Sequence, residues 1–273
     1  MKNKEEYIAE GVTDMQIPII SKDNKTLKNI RALQRKKGRM ESGRYFAEGV
    51  RMVEEALRWA DASVELLIVS DTFAEKNKNF LHTLDENRKT VYTAKETLFR
   101  EICNTEAPQG IGAVLKMPEN TGIDFSNKGF VLILDGVSEP GNLGTIIRTA
   151  EAAGVDGVIL LKGCADLYNP KVVRATMGSL FRVPCILGAE VDMVRQLKEQ
   201  GFSVAATALK DSIPIGDAKL RGKRALVIGS EAFGVSKEVL ALADLRVRIP
   251  MEGQVESLNA GVAAGISMYL LKP

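Results

Sequence analysis

Apolar residues in the second half of the chain fall into short continuous runs, separated by segments with helical spacing. The runs predict strands at 130–135, 157–161, 183–187, 202–207, 225–229 and 245–250, with helices at about 143–153, 170–178, 190–200, 236–242 and 257–271. Continuous apolar strands joined by helices are typical of a parallel sheet that is covered on both faces. Such sheets bind ligands at the carboxyl ends of their strands, so the loops after residues 135, 207, 229 and 250 are candidates for a site.

The first half of the chain alternates less regularly and predicts a smaller α/β domain. The elements expected there are helices at about 21–38, 50–60, 74–87 and 95–103, strands at 64–70, 90–94 and 110–117, and an extended piece at 44–49. Residues 1–20 have no clear period, and residues 118–129 collect the Pro, Asn, Gly and Ser that are typical of a linker. We therefore expect a tail at 1–20, a domain at 21–117, a linker at 118–129 and a second domain at 130–273.

Composition disfavours several classes of chemistry. The chain has 273 residues, of which 45% are hydrophobic, and this suits two packed domains. The only histidine is His82, and the three cysteines lack CxxC spacing, which disfavours hydrolytic triads, disulfide frameworks and metal sites. No apolar run approaches the roughly 18 residues of a membrane span, and the first residues lack a signal-peptide core. We therefore expect a cytoplasmic protein with no membrane partner and no metal.

The net charge is only +2, but the charge is unevenly distributed. Residues 22–58 contain eleven basic residues against five acidic ones, and Lys36, Lys37, Arg39 and Arg44 lie within this segment. Such a cluster is a plausible phosphate-binding surface for RNA, and a solvated helix face explains it equally well.

The loop after residue 135 leads through a Gly/Pro-rich turn, SEPGNLG, into a helix. Asn142 stands where a P-loop has lysine, and the G-x-G-x-x-G pattern is missing, so neither phosphate fingerprint is present. A structural turn explains this loop as well as an anion site does. Arg148 is unusual, because a permanent charge on an otherwise apolar helix requires an acidic or phosphate partner.

Two later strand ends also carry polar residues. Glu231 lies two residues past a strand that ends at Gly229, a residue that permits the close approach of a ligand, although Ser-Glu also suits a helix cap. In the last loop, Ser257 suits the N-cap of the final helix, which is the structural alternative to a functional role, and Asn259 in its first turn is harder to explain as a cap. Small residues in that helix permit close packing of another helix, within the fold or across a dimer.

The segments NLGTIIRT, IGSE and IPMEGQVESLN, taken in this order, resemble the three motifs of the SpoU/TrmH branch of the SPOUT RNA methyltransferases. The resemblance covers about residues 130–271. Residues 21–117 resemble, more loosely, the ribosomal-protein-like RNA-binding domain of family members that act on ribosomal RNA. Ala232 stands where Gly is usual, and Ala260 and Gly261 replace Val-Ser. Because these residues are all small, the departures bear on substrate detail rather than on activity.

The resemblance implies an α/β fold in which a knotted parallel-sheet methyltransferase domain, with a deep trefoil knot, follows a smaller α/β RNA-binding domain. It implies S-adenosylmethionine as the cofactor, RNA as the substrate, with ribosomal RNA favoured by analogy, and a homodimer. The implied cofactor contacts are Thr207, Gly229, Ile249 and Leu258. The implied catalytic and substrate positions are Asn142, Arg148, Glu231, Ser257 and Asn259.

The implied reaction transfers the sulfonium methyl group to a ribose 2′-hydroxyl, which is only weakly acidic and calls for a base. In the family proposal Arg148 is that base, aided by the target phosphate. Because arginine stays protonated in proteins, an equally consistent role is that Arg148 fixes a phosphate while Glu231 holds Arg148 and positions the hydroxyl.

Three alternatives remain open from the sequence. They are a tRNA substrate, a catalytically silent RNA-binding protein, and a Rossmann-type nucleotide enzyme, which the missing glycine pattern disfavours.

The oligomeric state is also open from the sequence. The helix at 257–271 is apolar almost all round, so it requires either a second copy of the chain or burial beneath the chain's own first helix of this domain.

Overall fold

A computed structural model describes residues 16–86, 89–118, 125, 129–255 and 257–272. The chain divides into two compact units. The first comprises the described residues up to Pro118 together with Tyr168–Pro170, and the second comprises the described residues from Phe125 to Leu167 and from Lys171 onward. Most of the predicted tail and most of the predicted linker lie outside the described residues.

The described part of the first unit contains a mixed sheet of five strands. The strands are β1 (Gln16–Ile19), β2 (Arg44–Glu48), β3 (Val64–Ser70), β4 (Val91–Ala94) and β5 (Ile111–Lys116). The helices are α1 (Lys25–Ala32), α2 (Lys36–Ser42), α3 (Val50–Trp59), α4 (Asp71–Lys76), α5 (Lys78–Glu86) and α6 (Glu96–Arg100), with a 3-10 turn at Asp61–Ser63. In the order β1-β4-β3-β5-β2, β4 pairs in parallel with β1 and β3, and β5 pairs antiparallel with β2 and β3.

Helices α1 and α6 cover one part of this sheet. Leu27 and Ile30 of α1 join Phe99 of α6 and Ile68 of β3 in one buried apolar cluster. The apolar spacing of α1 predicts this buried face, and the side chain of Asn24 caps the helix by accepting a hydrogen bond from the Thr26 N–H at 2.8 Å. The segment that carries the basic residues is therefore anchored to the core of the first unit.

The first unit departs from the sequence expectations in three places. Gln16–Ile19 form an edge strand where a tail is expected, because four residues are too few to show a period. The helix expected at 21–38 is two helices, and the one expected at 74–87 is also two. Gly38 permits the first break, since a Cβ atom there would lie 2.3 Å from the carbonyl oxygen of Ala32.

The described part of the second unit contains seven strands, and every pairing between them is parallel. The strands are β6 (Phe130–Asp135), β7 (Gly157–Leu161), β8 (Cys185–Ala189), β9 (Ser203–Thr207), β10 (Ile213–Pro214), β11 (Arg224–Gly229) and β12 (Leu245–Arg248), in the order β10-β12-β9-β11-β6-β7-β8. The helices are α7 (Pro140–Ala153), α8 (Pro170–Ala175), α9 (Asp192–Glu199), α10 (Lys237–Leu242) and α11 (Ala260–Leu271), with 3-10 turns at Ser179–Phe181 and Ile215–Asp217.

The predicted parallel sheet is confirmed, and β6 and β7 coincide with the strands expected from their apolar runs. Strand β10, which has two residues, is missing from the sequence prediction because it is too short to carry a pattern. Helices α7 and α11 pack closely: a Cβ atom at Gly261 would lie 3.2 Å from Cγ2 of Thr145, and the Tyr269 hydroxyl donates to the Ala152 carbonyl at 3.3 Å. This contact brings the first turn of α7 beside the first turn of α11.

Candidate active site

A cavity of about 940 Å³ opens at the carboxyl ends of β9, β11 and β12. This is the edge at which a parallel sheet binds its ligands. The walls are the loops that follow these strands and the first two turns of α11. Every sequence-predicted catalytic and cofactor position except Arg148 lines the cavity: Asn142, Thr207, Gly229, Glu231, Ile249, Ser257, Leu258 and Asn259.

Asn142 joins two of the other predicted side chains through both ends of its amide. Its Nδ2 donates to Oε1 of Glu231 at 2.9 Å, and its Oδ1 accepts from Nδ2 of Asn259 at 2.8 Å. The three side chains come from α7, from the turn after β11 and from the start of α11. Each amide nitrogen carries two hydrogens, so Asn142 and Asn259 each retain one N–H donor for a bound molecule.

Glu231 is the anchor of this network. Its Oε2 accepts from the N–H and the hydroxyl of Ser138 at 3.1 and 3.3 Å, and its Oε1 accepts from the N–H of Glu139 at 3.2 Å as well as from Asn142. Partial burial raises the pKa of Glu231, but these hydrogen bonds outweigh burial and hold the pKa below its usual value. Since a carboxylate offers about four acceptor positions, Glu231 is ionised and fully engaged at neutral pH.

The start of α7 is fixed by Glu139. Its Oε2 accepts from the N–H of Asn142 at 2.6 Å, and Pro140 occupies the first helical position, where a missing N–H costs nothing. The ammonium of Lys171 lies 2.8 Å from Oε1, and this bond together with the backbone N–H groups lowers the pKa of Glu139. The backbone and the side chain of Asn142 are therefore both held in place.

The last helix begins later than expected, and its cap is a different residue. Asn259 is the N-cap of α11, because its Oδ1 accepts from the N–H groups of Gly261 and Val262 at 2.9 and 3.2 Å. The structural alternative for Ser257, a cap on this helix, is wrong; Ser257 is exposed and lies before the helix, on the cavity wall. The Asn259 amide thus caps α11 with its oxygen and holds Asn142 with its nitrogen.

Arg148 lies apart from the network. It occupies the exposed side of α7, six residues after Asn142, which corresponds to about 9 Å along the helix axis. Within the described part of the chain, the side chain of Arg148 has no acidic or hydrogen-bonding partner, and Glu231 bonds instead to Ser138, Glu139 and Asn142. The expectation that Glu231 holds Arg148 is therefore wrong within a single chain.

The predicted cofactor positions line the cavity in different ways. Ile249 and Leu258 are half-buried apolar side chains on its wall, and the hydroxyl of Thr207 donates to the carbonyl of Val227 at 3.2 Å. Gly229 lines the cavity and also has a structural role. A Cβ atom there would lie 2.1 Å from the carbonyl carbon of Gly234, so the lack of a side chain makes room for the turn that follows β11.

The four predicted RNA-binding residues of the first unit separate into two groups. Lys36 and Lys37 are exposed at the start of α2. Arg39 is only 2% exposed, and its Nη1 donates to the carbonyl of Leu33 at 2.7 Å, so the expectation that it contacts RNA is wrong. Arg44 has its charge balanced by a bidentate pair with Glu65.

Other basic residues accompany Lys37 on this surface. Lys28, Arg31 and Arg35 line with Lys37 a shallow depression of about 420 Å³ between α1 and α2. Lys28, Arg31 and Arg35 would share one face of an unbroken helix as well, but Lys37 would lie on the opposite side of it. The break between the two helices brings Lys37 to the other three. The basic surface is therefore built mainly from residues before Arg39.

The sequence does not single out several residues that hold the site or line the cavity. Ser138 and Glu139 hold Glu231 and Asn142, and the only available signal was the acidic residue directly before Pro140, which suits the start of a helix. Leu209 and Phe233 are exposed side chains of the cavity wall, and neither belongs to a pattern that sequence alone reveals.

The described residues offer neither a metal site nor a membrane-spanning helix. No group of three His, Cys, Asp or Glu side chains in that part of the chain is arranged to hold a metal ion. No helix there combines the length and the apolar character needed to cross a membrane.

Comparison with known proteins identifies both parts of the chain. Residues 129–269 match the SpoU rRNA Methylase family, and residues 24–113 match the MRM3-like substrate binding domain. The 23S rRNA (guanosine(2553)-2′-O)-methyltransferase RlmP of Bacillus subtilis is 37% identical over 93% of this chain and 98% of its own length.

Solved structures agree along nearly the whole chain. The AdoMet-bound rRNA methyltransferase of Sinorhizobium meliloti superposes with a TM-score of 0.81 at 30% identity, covering 94% of this chain and 97% of its own. The SpoU methyltransferase AviRb of Streptomyces viridochromogenes, in complex with the cofactor AdoMet, gives a TM-score of 0.79 at 29% identity, covering 90% and 96%. The motifs, the parallel sheet and these matches together make the chain a member of the SpoU rRNA methylase family, with a substrate-binding domain at its N-terminal side.

Proposed function

We propose that this chain transfers a methyl group from S-adenosylmethionine to a ribose 2′-hydroxyl of ribosomal RNA. The observation that carries the proposal is the side-chain network of Asn142, Glu231 and Asn259, which joins three distant segments at the mouth of one cavity. The name of the Bacillus subtilis relative, a 23S rRNA 2′-O-methyltransferase, supports ribosomal RNA over tRNA as the substrate.

The cavity fits this cofactor, which supplies an electrophilic methyl group when it is bound. The cavity volume of about 940 Å³ is in the range of small-molecule sites. Ile249 and Leu258 offer apolar surface suited to an adenine ring. Glu231 is the one acidic residue among the described residues that line the cavity, and Lys210, Arg246 and Arg248 line it as well, so the apolar wall rather than net charge supports this cofactor.

The polar residues of the cavity orient the RNA rather than remove its proton. All four acceptor positions of Glu231 are occupied, so this carboxylate serves to fix the amides of Asn142 and Asn259. The remaining N–H group of each amide is available to donate to oxygen atoms of the target nucleotide. Ser257, exposed on the same wall, is a third donor for the substrate. Water would accept the hydroxyl proton while the methyl group forms its bond to the ribose oxygen, and the bond from the methyl group to sulfur would break to leave a neutral thioether.

Arg148 completes the site from a second copy of the chain. Its side chain does not line the cavity of its own chain, and its guanidinium has no acidic partner among the described residues. In a homodimer, Arg148 of the partner subunit lies over the cavity and binds a phosphate beside the target ribose. A protonated guanidinium there stabilises the negative charge that develops on the ribose oxygen.

The surface available for such a dimer is one face of α11. Gly261, Ala264 and Met268 are buried against the chain's own α7 and sheet. The opposite face exposes a stripe of apolar side chains at helical spacing: Val262, Ile266, Tyr269 and Leu270. Packing against α7, the first helix of this unit, therefore covers only half of α11. A second copy of the chain covers the other half.

The first unit supplies RNA affinity in this proposal. Lys28, Arg35 and the exposed lysines of α2 form a surface for phosphates, and the match to a substrate binding domain supports the same role. We also place the domain boundary within residues 118–129, the trefoil knot in the segment after β11, and the protein in the cytoplasm, where ribosomal RNA is found.

The experiment that tests the proposed function compares ligands and RNA substrates. S-Adenosylmethionine is expected to raise the melting temperature of the protein, whereas NAD and ATP are not. With S-adenosylmethionine present, ribosomal RNA is expected to gain one ribose methyl group detectable by mass spectrometry of nuclease digests, and tRNA is not. A protein that binds RNA without methylating either RNA would be a silent RNA-binding protein.

A further inference from the structure

The cavity mouth carries the two most exposed large apolar side chains of the described residues. Phe233 is 93% exposed and Leu209 is 74% exposed. They belong to the loops that follow two adjacent strands, β11 and β9, and both line the cavity. Single exposed apolar residues are common on protein surfaces, but two of them at the mouth of one ligand site call for an occupant.

The backbone that carries Phe233 is held firmly. Ser230 and Gly234 exchange both of their backbone hydrogen bonds, at 3.0 and 2.9 Å, and the Ser230 hydroxyl accepts from the Ala232 N–H at 3.3 Å. The turn also packs onto Gly229, whose missing Cβ makes room for Gly234. The ring is therefore presented to solvent by a rigid support.

Phe233 is also tied to the catalytic network. It lies two residues after Glu231, whose carboxylate is bonded to Ser138, Glu139 and Asn142. The backbone at Phe233 is thus held near the amides that are expected to orient the target nucleotide, whereas the exposed ring keeps the rotational freedom needed to meet a base. Lys210 and Arg246 line the same cavity and add positive charge for the RNA backbone.

We propose that Phe233 stacks on a nucleobase of the RNA at the target site, and that the target therefore lies in an unpaired region. The inference rests on the proposed function, since it assumes an RNA substrate at this cavity. An aromatic ring can stack only on a base that is not already stacked within a helix, and single-stranded RNA is commonly bound in this way. Stacking accepts any base, so Phe233 positions the nucleotide without selecting its identity.

The first test is steady-state kinetics of the full-length protein with an RNA that contains the target nucleotide in a loop. Phe233→Ala is expected to raise KM for RNA by about tenfold or more, with a smaller change in kcat and an unchanged dissociation constant for S-adenosylmethionine by calorimetry. Phe233→Trp is expected to restore KM, because it retains a stacking face. Leu209→Ala, on the neighbouring loop, also removes an exposed apolar side chain of the cavity wall, but it is expected to raise KM less than Phe233→Ala, because leucine has no aromatic face to stack on a base.

The second test reads the contact directly. In a chain that combines Phe233→Trp with Trp59→Phe, the indole at position 233 is the only one, and stacking on a base is expected to quench its fluorescence when the loop RNA binds. The same target placed in a continuous duplex is expected to bind without quenching.

Three results would overturn the inference. They are an unchanged KM in Phe233→Ala, no quenching in the indole experiment, or dissociation of a dimer in Phe233→Ala, which would place the ring in a subunit interface. If the wild-type protein methylates no RNA, the proposed function itself fails. If the wild-type protein methylates RNA normally and Phe233→Ala has the same KM for RNA, only the stacking role is rejected.

Discussion

At the scale of single residues, Asn142 is the position on which the site depends most. Its backbone N–H is held by Glu139, and its amide bonds to Glu231 at one end and to Asn259 at the other. Loss of this amide removes one N–H donor to the substrate. It also frees the Asn259 amide, which carries the second donor, from its hydrogen bond to Asn142. Asn142→Ala is therefore expected to lower kcat by about a hundredfold while the affinity for S-adenosylmethionine changes little. Single-turnover methylation and calorimetry measure the two quantities separately.

Asn142→Asp is a nearly isosteric comparison for this prediction. It places a second carboxylate against Glu231, so it is expected to lower both kcat and the melting temperature, whereas Asn142→Ala lowers mainly kcat. Equal kcat values for wild type and Asn142→Ala would contradict the role assigned to the amide.

The lowered pKa of Glu231 gives a pH prediction with a definite sign. The network stabilises the ionised carboxylate, so its contribution to stability is complete above the usual carboxyl pKa of about 4.5 and is lost as the pH falls through the lowered value. The wild-type protein is expected to melt at a higher temperature than Glu231→Gln at pH 7. The difference between the two should shrink as the pH falls below about 4.5. A difference that grows towards acid pH would contradict the hydrogen-bonded geometry.

The basic residues of α2 have two different roles. Arg39 is buried and supports the fold, whereas Lys36 and Lys37 face solvent. Arg39→Ala leaves the buried carbonyl of Leu33 without its partner, and is expected to lower the free energy of unfolding by about 2 kcal/mol. Lys36→Ala with Lys37→Ala is expected to leave stability unchanged and to reduce the salt dependence of RNA binding, by about 0.7–0.9 in slope for each phosphate that these lysines neutralise. Urea titration and filter binding at several salt concentrations distinguish the two outcomes.

Residue identity alone could not make this distinction. The sequence places Lys36, Lys37, Arg39 and Arg44 in one basic run, but burial depends on how α2 folds back against α1. The same limit applies to Asn259, because whether a polar residue caps a helix depends on where the helix begins.

At the scale of elements, α11 combines two different apolar faces. One packs on the chain's own α7, where Gly261 lies against Thr145, and the other exposes Ile266 and Leu270. Ile266→Asp or Leu270→Asp is therefore expected to give a folded monomer that binds S-adenosylmethionine but methylates RNA poorly. Light scattering and circular dichroism measure assembly and folding.

Gly261→Leu is the contrasting variant. Its side chain would be forced against Thr145 within the same chain, so it is expected to lower the melting temperature rather than to alter assembly alone. A wild-type protein that is monomeric and fully active at micromolar concentration would reject the dimer.

Elements with a strong pattern were predictable, and short ones were not. The apolar runs of β6 and β7 locate both strands because a strand buried on two faces admits only apolar residues. Strands β1 and β10 have four and two residues, and their pairing is decided by distant strands. The break between α1 and α2 depends on the close contact of Gly38 with Ala32, which no local pattern shows.

At the scale of the whole molecule, the arrangement of strand ends explains the site. Strands β9, β11 and β12 are neighbours in the sheet although they are separated in sequence by helices and loops. Their carboxyl ends therefore share one edge, which the alternation of strands and helices predicts. The pairing of Asn142 with Glu231 and Asn259 also depends on the order of the strands in the sheet and on the packing of α11 on α7. No local sequence pattern encodes the strand order or this packing.

The most direct test of the proposed chemistry is ribose methylation of ribosomal RNA by the wild-type protein and by Asn142→Ala, measured with S-adenosylmethionine carrying a labelled methyl group. We expect the label to appear on a single ribose 2′-oxygen with the wild-type protein, and Asn142→Ala to transfer it about a hundredfold more slowly at an unchanged cofactor affinity. Label on a base, or equal rates for the two proteins, would contradict the assignment.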